Sequence, residues 1–129
     1  MASIFTKIIN GEIPSYKIAE NDKFLAFLDV NPLQKGHTLV IPKKEVDYIF
    51  DLESSLLAEM TLFAQSVAKM IKANTVCNRI GVAVIGLEVP HAHIHLIPIN
   101  KMDDMNFANP KLKLTADDFN EIQEKIVSK

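Results

Sequence analysis

The stretch Pro90-His91-Ala92-His93-Ile94-His95-Leu96-Ile97-Pro98 places a histidine at every second position, with aliphatic residues between them. Because side chains of a β-strand alternate between the two faces of a sheet, this spacing predicts one strand with three imidazoles on one face. Side chains two positions apart on a strand lie roughly 6.5–7 Å apart, so three rings can converge on one small anionic or metallic group. Histidine exchanges protons near neutral pH, which makes this strand the candidate reactive element.

The composition is typical of a globular domain. The chain has 129 residues, of which 48% are hydrophobic and 23% charged, and its net charge is −2. We expect one domain over residues 1–129. The small negative charge disfavours a nucleic-acid partner. The first residues lack the apolar core of a signal peptide, and no run approaches the ~20 apolar residues that span a bilayer. These features predict a cytoplasmic protein without a membrane partner.

Cysteine usage restricts the chemistry further. Cys77 is the only cysteine in the sequence. An intrachain disulfide is therefore excluded, and so is a zinc site built from several cysteines.

The first half of the sequence predicts a short helix and three strands. An amphipathic segment at residues 3–9 favours one or two helical turns. Residues 16–20 and 23–29 are typical of strands joined by a turn, and residues 37–41 form a third strand between a glycine and a proline.

The second half predicts two helices and two strands. Apolar residues from Leu56 to Ile71 recur with helical spacing, and Asp51 is placed to cap that helix. Residues 79–85 are rich in branched apolar side chains, which predicts a buried strand. Thr115 and Asp118 have the spacing of a capping box at the start of a last helix. The order of elements predicts an α+β fold, with an antiparallel sheet covered by the long helix.

Two chemistries fit the histidine pattern, and the residues alone leave both open. In one, the imidazoles are metal ligands and His37 completes the set, since imidazole binds zinc, copper, iron and nickel. In the other, one ring attacks a phosphate and its neighbours donate hydrogen bonds or protonate the leaving group. A further group must then fix the tautomer of the attacking ring.

Four segments together resemble the histidine triad (HIT) family. Residues 91–97 have the pattern His-φ-His-φ-His-φ-φ, with φ hydrophobic, that names the family. Three further segments match it in order and spacing: IFTKIINGEIP at 4–14, FLAFLDVNP at 24–32 and GHTLVIPKK at 36–44. Residues 1–98 are similar to the Hint branch, the nucleoside phosphoramidate hydrolases, and residues 99–129 form an extension outside the match.

The resemblance implies a fold and a reaction. The fold would be a five-stranded antiparallel sheet with one long helix and a C-terminal helix, paired into a homodimer with a continuous sheet. His93 would attack the α-phosphorus of a nucleoside monophosphate derivative, of the purine phosphoramidate or dinucleoside polyphosphate type. Water would then resolve the nucleotidyl-histidine, without a cofactor or a metal. His91 and His95 would flank the nucleophile, one touching phosphate and one supporting the site, and His37 would help to orient the triad.

The resemblance also implies how the nucleotide binds. Asp29 would accept hydrogen bonds from the ribose hydroxyls. The base would lie in an apolar slot, as general pocket chemistry expects. The candidate residues for nucleotide contact, apart from Asp29, are Phe5, Ile8, Phe27, Val30, Glu88 and Val89.

The sequence departs from the family pattern beside the triad. Glu88 occupies a position where the family carries a hydroxyl that is thought to assist the leaving group, and an ionised carboxylate repels phosphate. No asparagine occurs between residues 79 and 99, where the family has one that contacts phosphate. These departures motivate an alternative function, a nucleotide-binding regulatory module with weak or no catalysis.

Two other positions carry expectations. Some members use an N-terminal cysteine pair to bind zinc, and Ser3 and Thr6 stand at those positions, so we expect that site to be absent. C-terminal extensions in the family often reach the partner's active site. Residues 105–107 are the candidates for such a contact, and a packed or loose surface loop is the simpler interpretation.

Overall fold

Five strands form one antiparallel sheet in the computed structural model, which describes residues 2–127. The strands are β1 (Lys17–Glu20), β2 (Phe24–Leu28), β3 (Thr38–Pro42), β4 (Arg79–Ala83) and β5 (Ile94–Ile99). Their order across the sheet is β1-β2-β3-β5-β4, and each neighbouring pair is antiparallel. The predicted α+β architecture with a five-stranded antiparallel sheet is confirmed.

Three α-helices complete the fold. They are α1 (Ile4–Ile9), α2 (Ser54–Asn74) and α3 (Ala116–Val127), and short 3-10 helices lie at Ile49–Asp51 and Met102–Met105. Among the described residues, no helix is both long enough and apolar enough to cross a membrane.

The sheet separates two apolar layers because its inner strands alternate in sequence. In β2, Phe24, Ala26 and Leu28 belong to the main core, whereas Leu25 and Phe27 face a smaller cluster on the other side. The main core includes the inward stripe of α2, which consists of Met60, Ala64, Val67 and Ile71. The smaller cluster includes Phe5 of α1. The period-two pattern of the strands therefore assigns α1 and α2 to opposite faces.

The start of α2 differs from the prediction. Asp51 lies in the 3-10 helix Ile49–Asp51, and α2 begins at Ser54 after Glu53, which makes no side-chain capping hydrogen bond. The prediction that Asp51 caps the long helix is wrong, because the preceding residues close a separate turn. The cap of α3 is confirmed: the backbone N–H of Thr115 donates to the Asp118 carboxylate (2.9 Å), and the Asp118 N–H donates to the Thr115 hydroxyl (3.1 Å).

The strand predicted at residues 79–85 is not buried within this chain. β4 ends at Ala83 and, within residues 2–127, pairs only with β5, at the edge of the sheet. Each of its residues is exposed or half-buried, and Val82 is exposed. The residue types of an apolar strand do not reveal whether it has one neighbour or two, and this is why the prediction failed.

Candidate active site

The three alternating histidines lie on the sheet face that is opposite α2. Regular pairing in β5 starts at Ile94, so His91 and His93 precede it, yet the alternation continues through them. Ala92, Ile94 and Leu96 pack in the main core with α2. The histidine side chains are nonetheless buried, with relative exposures of 0% for His91, 7% for His93 and 8% for His95. The predicted separation of imidazoles from aliphatic side chains is present.

His37 joins this group because β3 and β5 are neighbours. Leu39 pairs with His95 across the two strands, and His37 lies just before β3. Its ring Nε2 is 2.9 Å from Nδ1 of His95, although 58 positions separate the two residues in sequence. The sequence pattern supplied the residues, and the strand order brings them into contact.

A chain of hydrogen bonds fixes the tautomers of His37 and His95. The backbone N–H of Leu33 donates to Nδ1 of His37 (3.0 Å), so the proton of the neutral ring is on Nε2. That Nε2–H donates to Nδ1 of His95 (2.9 Å). The proton of neutral His95 is therefore on its own Nε2, which is left as a donor for a ligand.

The other two histidines are fixed in the same way. Nε2 of His91 is 2.8 Å from the carbonyl oxygen of Pro42, which can only accept, so His91 carries its proton there. Nδ1 of His93 donates to the His91 carbonyl oxygen (2.7 Å), so neutral His93 has its lone pair on Nε2. No fully buried side-chain nitrogen or oxygen in residues 2–127 lacks a partner. Nε2 of His93 and Nε2 of His95 make no hydrogen bond within that range, so both are open to solvent.

Burial keeps three of the rings neutral. It lowers the pKa of His37 to about 3 and that of His95 to about 4, from an ordinary value of 6.5. It also lowers the pKa of His91, against the smaller opposing influences of the Pro42 hydrogen bond and the Glu45 charge. Desolvation disfavours the imidazolium. At neutral pH these rings are neutral, as the tautomer chain requires.

We expect acid to destabilise the fold through these histidines. Below pH 6.5 the unfolded chain binds a proton at His37 and at His95, while the native rings stay neutral down to about pH 3 and 4. The contribution of these two rings to stability is therefore fully present above about pH 6.5. The free energy of unfolding falls as the pH decreases, by roughly 1.4 kcal/mol per histidine at pH 5.5. Asp29, whose pKa is raised mainly by burial, opposes this loss at lower pH.

Urea unfolding at pH 7.5 and 5.5 measures this loss. A variant carrying both His37→Asn and His95→Asn is expected to show a smaller difference between the two pH values. Equal unfolding free energies of the native chain at pH 7.5 and 5.5 would contradict the argument.

Asp29 lies beside the His37–His95 pair. Its Oδ1 accepts from the backbone N–H of Asn31 (2.8 Å), and its Oδ2 is 3.5 Å from Nε2 of His37. Ligand atoms of Asp29, His37 and His95 lie within 4.8 Å of one another, so these three residues could hold a metal ion. The two ring nitrogens are already joined by a hydrogen bond, which accounts for their closeness without an ion.

Most of the apolar residues predicted to contact a nucleotide are gathered beside the histidines. Phe5 contacts Phe27 edge to face, with ring centroids 5.5 Å apart, and its ring lies 5.1 Å from that of His93. Ile8 and Val89 pack against the same cluster. Val30 and Glu88 are exposed, and the Glu88 carboxylate makes no hydrogen bond within residues 2–127. These residues thus form a packed apolar cluster that reaches the ring of His93.

A polar network surrounds His91 that the sequence did not suggest. The Ser3 hydroxyl is 2.8 Å from Nδ1 of His91, and one carboxylate oxygen of Glu45 accepts from the Ser3 N–H (2.7 Å) and from the Thr6 hydroxyl (2.6 Å). Hydroxyl groups are not among the usual zinc ligands, so the donors at Ser3 and Thr6 do not fit a zinc site. Ser3 could have been identified as the N-cap of α1, but nothing in the sequence points to Glu45.

Phe107 comes from the C-terminal extension and lies against the site of its own chain. Its ring contacts that of His95 edge to face, with centroids 5.0 Å apart, and its centroid is 6.3 Å from that of His37. The sequence predicted either a contact with a partner's site or a packed or loose surface loop at residues 105–107. Within this chain the loop is packed, because the segment after β5 returns over this face.

The fold and the site together define a class: an α+β protein with four convergent histidines, two of them with accessible ring nitrogens, beside an apolar cluster. Residues 10–102 match the HIT domain family. An uncharacterised HIT-like protein of Borreliella burgdorferi is 37% identical over 131 residues, covering 95% of this chain and 94% of that protein. The chain belongs to the HIT family.

Two further relatives show the range of the similarity. The adenosine 5'-monophosphoramidase HNT1 of Saccharomyces cerevisiae is 40% identical over 99 residues, which cover 75% of this chain and 62% of that protein. The crystal structure of a Hit-like protein involved in cell-cycle regulation from Bartonella henselae superposes with a TM-score of 0.84 at 30% identity, covering 98% of this chain and 95% of that one.

Proposed function

We propose that this protein hydrolyses or transfers nucleoside monophosphate derivatives, purine phosphoramidates or dinucleoside polyphosphates, through a nucleotidyl-histidine on His93. One observation carries the proposal. The hydrogen bond from Nδ1 of His93 to the His91 carbonyl oxygen leaves the lone pair on an accessible Nε2, next to the free Nε2–H of His95. A neutral imidazole nitrogen beside a hydrogen-bond donor is the pairing that attack on phosphorus needs. A monophosphoramidase among the relatives supports the substrate class.

The reaction balances in two steps. In the first, Nε2 of His93 forms a bond to the α-phosphorus, the bond from phosphorus to the leaving nitrogen or oxygen breaks, and the leaving group takes up a proton from solvent. In the second, water attacks the phosphorus and gives a proton back to solvent, the N–P bond breaks, and the nucleoside monophosphate is released with His93 neutral again. His95 donates its Nε2–H to a phosphate oxygen in both steps, and His37 orients it. His91 supports the nucleophile through its carbonyl group.

The nucleotide occupies the slot beside the triad. A purine base packs against Phe5, Ile8 and Phe27, with Val30 and Val89 at its borders. Asp29 accepts hydrogen bonds from the ribose hydroxyls, for which it is suited by its position at the end of β2 and its half-buried carboxylate. Glu88 is the remaining candidate contact, and its charge favours a cationic or protonated leaving amine.

Incubation with an adenosine phosphoramidate, followed by quantification of AMP, tests the proposal. We expect AMP release with many turnovers for each protein molecule. The regulatory alternative rests on Glu88, which replaces the family's hydroxyl. Tight AMP binding without turnover of phosphoramidates or dinucleoside polyphosphates would favour that alternative, and Glu88→Ser would then be the first variant to test for a gain of activity.

We also propose that two copies pair through β4 into a homodimer with a continuous sheet. The free edge of β4 presents unpaired backbone groups, and exposed sheet edges recruit further strands. An apolar groove runs beside it, lined by Phe50, Ala64, Ala68, Val82 and Val84 among others. A second copy of this chain offers the same edge and the same groove, as a two-fold interface requires.

The variant Val82→Glu tests this interface. Val82 is 64% exposed in the single chain, so a charge there leaves the monomer core intact but would be buried in the dimer. We expect the variant to sediment as a monomer at concentrations where the native chain has twice that mass. Val76→Glu is the control, because Val76 is 99% exposed and does not line the groove. A monomeric native chain, or a dimeric Val82→Glu variant, would contradict the proposal.

A further inference from the structure

We propose that Glu45 is a positioning residue of the active site, which holds the Ser3 hydroxyl at His91 and holds α1 against the triad. Glu45 lies in the loop after β3 and touches none of the proposed reacting groups. Its kinetic consequence rests on the proposed function, whereas its effect on His91 and α1 does not.

The carboxylate of Glu45 joins two parts of the chain that are far apart in sequence. Its Oε1 accepts from the backbone N–H of Ser3 (2.7 Å), 42 positions away, and from the hydroxyl of Thr6 (2.6 Å). The Ser3 hydroxyl also caps α1 by accepting from the Thr6 N–H (3.0 Å). Both ends of the first turn of α1 are therefore bound to a single carboxylate in the loop after β3.

The hydrogen bonds around His91 determine which groups are donors and which are acceptors. Because the hydroxyl of Thr6 donates to Glu45, it is not a donor toward His91. The Ser3 hydroxyl remains as the donor to Nδ1 of His91 at 2.8 Å, which agrees with the proton of His91 being on Nε2 toward Pro42. The ring of His91 is thus held from both nitrogens, and its carbonyl oxygen is the acceptor for Nδ1 of His93.

The same carboxylate also holds α1, the helix that contributes Phe5 to the proposed base-binding site. α1 has six residues, too few for a helix to be stable alone in water, so its position depends on tertiary contacts. It carries Phe5, whose ring lies 5.1 Å from that of His93 and 5.8 Å from that of His91. A shift of α1 would therefore displace both the slot and the packing on the nucleophile.

The hydrogen bonds from Ser3 and Thr6 require Glu45 to be an acceptor. Its hydrogen bonds, foremost that from the Ser3 N–H, lower its pKa to about 2, so the group is ionised at neutral pH. A glutamine oxygen can accept the same two bonds without the charge. Glu45→Gln should therefore keep most of the effect, and Glu45→Ala should lose it.

The first experiment measures His91 and α1 without any substrate. Imidazole ¹⁵N spectra report which nitrogen of His91 carries the proton, and hydrogen exchange reports the protection of α1. In Glu45→Ala we expect a changed Nδ1 signal of His91, because the Ser3 hydroxyl is no longer held against it, and loss of protection in α1, with both restored in Glu45→Gln. Asp47→Ala is the control, a carboxylate of the same loop whose side chain is exposed and makes no hydrogen bond within residues 2–127. An unchanged His91 ring and unchanged α1 protection in Glu45→Ala would overturn the proposal.

The second experiment measures AMP release from an adenosine phosphoramidate. Glu45→Ala should lower kcat/KM roughly 10–100-fold, since a small misplacement of reacting groups has effects of that order. Ser3→Ala keeps the backbone bond to Glu45 and removes only the hydroxyl at His91, so it should lower kcat with little change in KM. A native kcat in Ser3→Ala, or a Glu45→Gln variant as impaired as Glu45→Ala, would overturn the positioning role. If the native chain itself releases no AMP, the proposed reaction fails and the spectra alone decide on Glu45.

Discussion

His93→Ala is expected to lower phosphoramidate hydrolysis by roughly 10³-fold or more, because it removes the nitrogen that attacks phosphorus. The native protein, mixed briefly with an adenosine phosphoramidate and quenched without acid, should gain the mass of one adenylyl group. The variant should gain none. Intact-protein mass spectrometry measures the adduct directly, and chromatography of AMP measures turnover.

The His93→Ala variant should still fold and bind nucleotide. The lost ring makes one hydrogen bond, with the His91 carbonyl, and two aromatic contacts, with Phe5 and His95, so the loss of stability should be about 1–3 kcal/mol. Calorimetric binding of AMP by the variant separates loss of chemistry from loss of the site. Hydrolysis at the native rate in His93→Ala, with the fold intact, would eliminate His93 as the nucleophile.

His95→Ala is expected to lower kcat by about 10²–10⁴-fold, since it removes the only one of the three flanking rings whose neutral form presents an accessible N–H to a ligand. It also leaves Nε2–H of His37 without its acceptor. Because His95 is proposed to donate a hydrogen bond to a phosphate oxygen, the decrease in kcat should be similar for good and poor leaving groups. Steady-state kinetics with a series of adenosine phosphoramidates that differ in amine basicity provides the measurement.

Leu39→Val is a matched control for His95→Ala. Leu39 pairs with His95 across β3 and β5, and it contributes packing to this face without a hydrogen bond from its side chain. The control should lose stability but retain kcat. If the loss in His95→Ala instead disappeared for the best leaving groups, His95 would be the acid for the leaving group and its placement on phosphate would be wrong.

Structural features that depend on residues close together in sequence were predictable. The period of two in residues 91–97 correctly separated the imidazoles from Ala92, Ile94 and Leu96. The three- and four-residue spacing of α2 identified its buried stripe, and Thr115 with Asp118 gave the cap of α3. The side-chain direction in a regular element follows from its own backbone geometry, so these features need no knowledge of the rest of the fold.

Structural features that depend on contacts between segments distant in sequence were not predictable. Residues 79–85 predicted a buried strand, but only the strand order places β4 at an edge. Asp51 has the chemistry of a helix cap, yet the chain closes a 3-10 turn there. Phe107 lies outside the segments that resemble the family, and its contact with His95 depends on the path of the chain after β5.

The sequence by itself determined that three imidazoles share one face of a strand, since alternation is a property of the local backbone. Only the tertiary structure decided which nitrogen of His37, His91 and His95 carries a proton. That assignment depends on the backbone of Leu33 and Pro42 and on the hydroxyl of Ser3, which is 88 positions from His91. A hydrogen bond requires two groups within about 3 Å, and for residues so distant in sequence only the completed sheet brings them together.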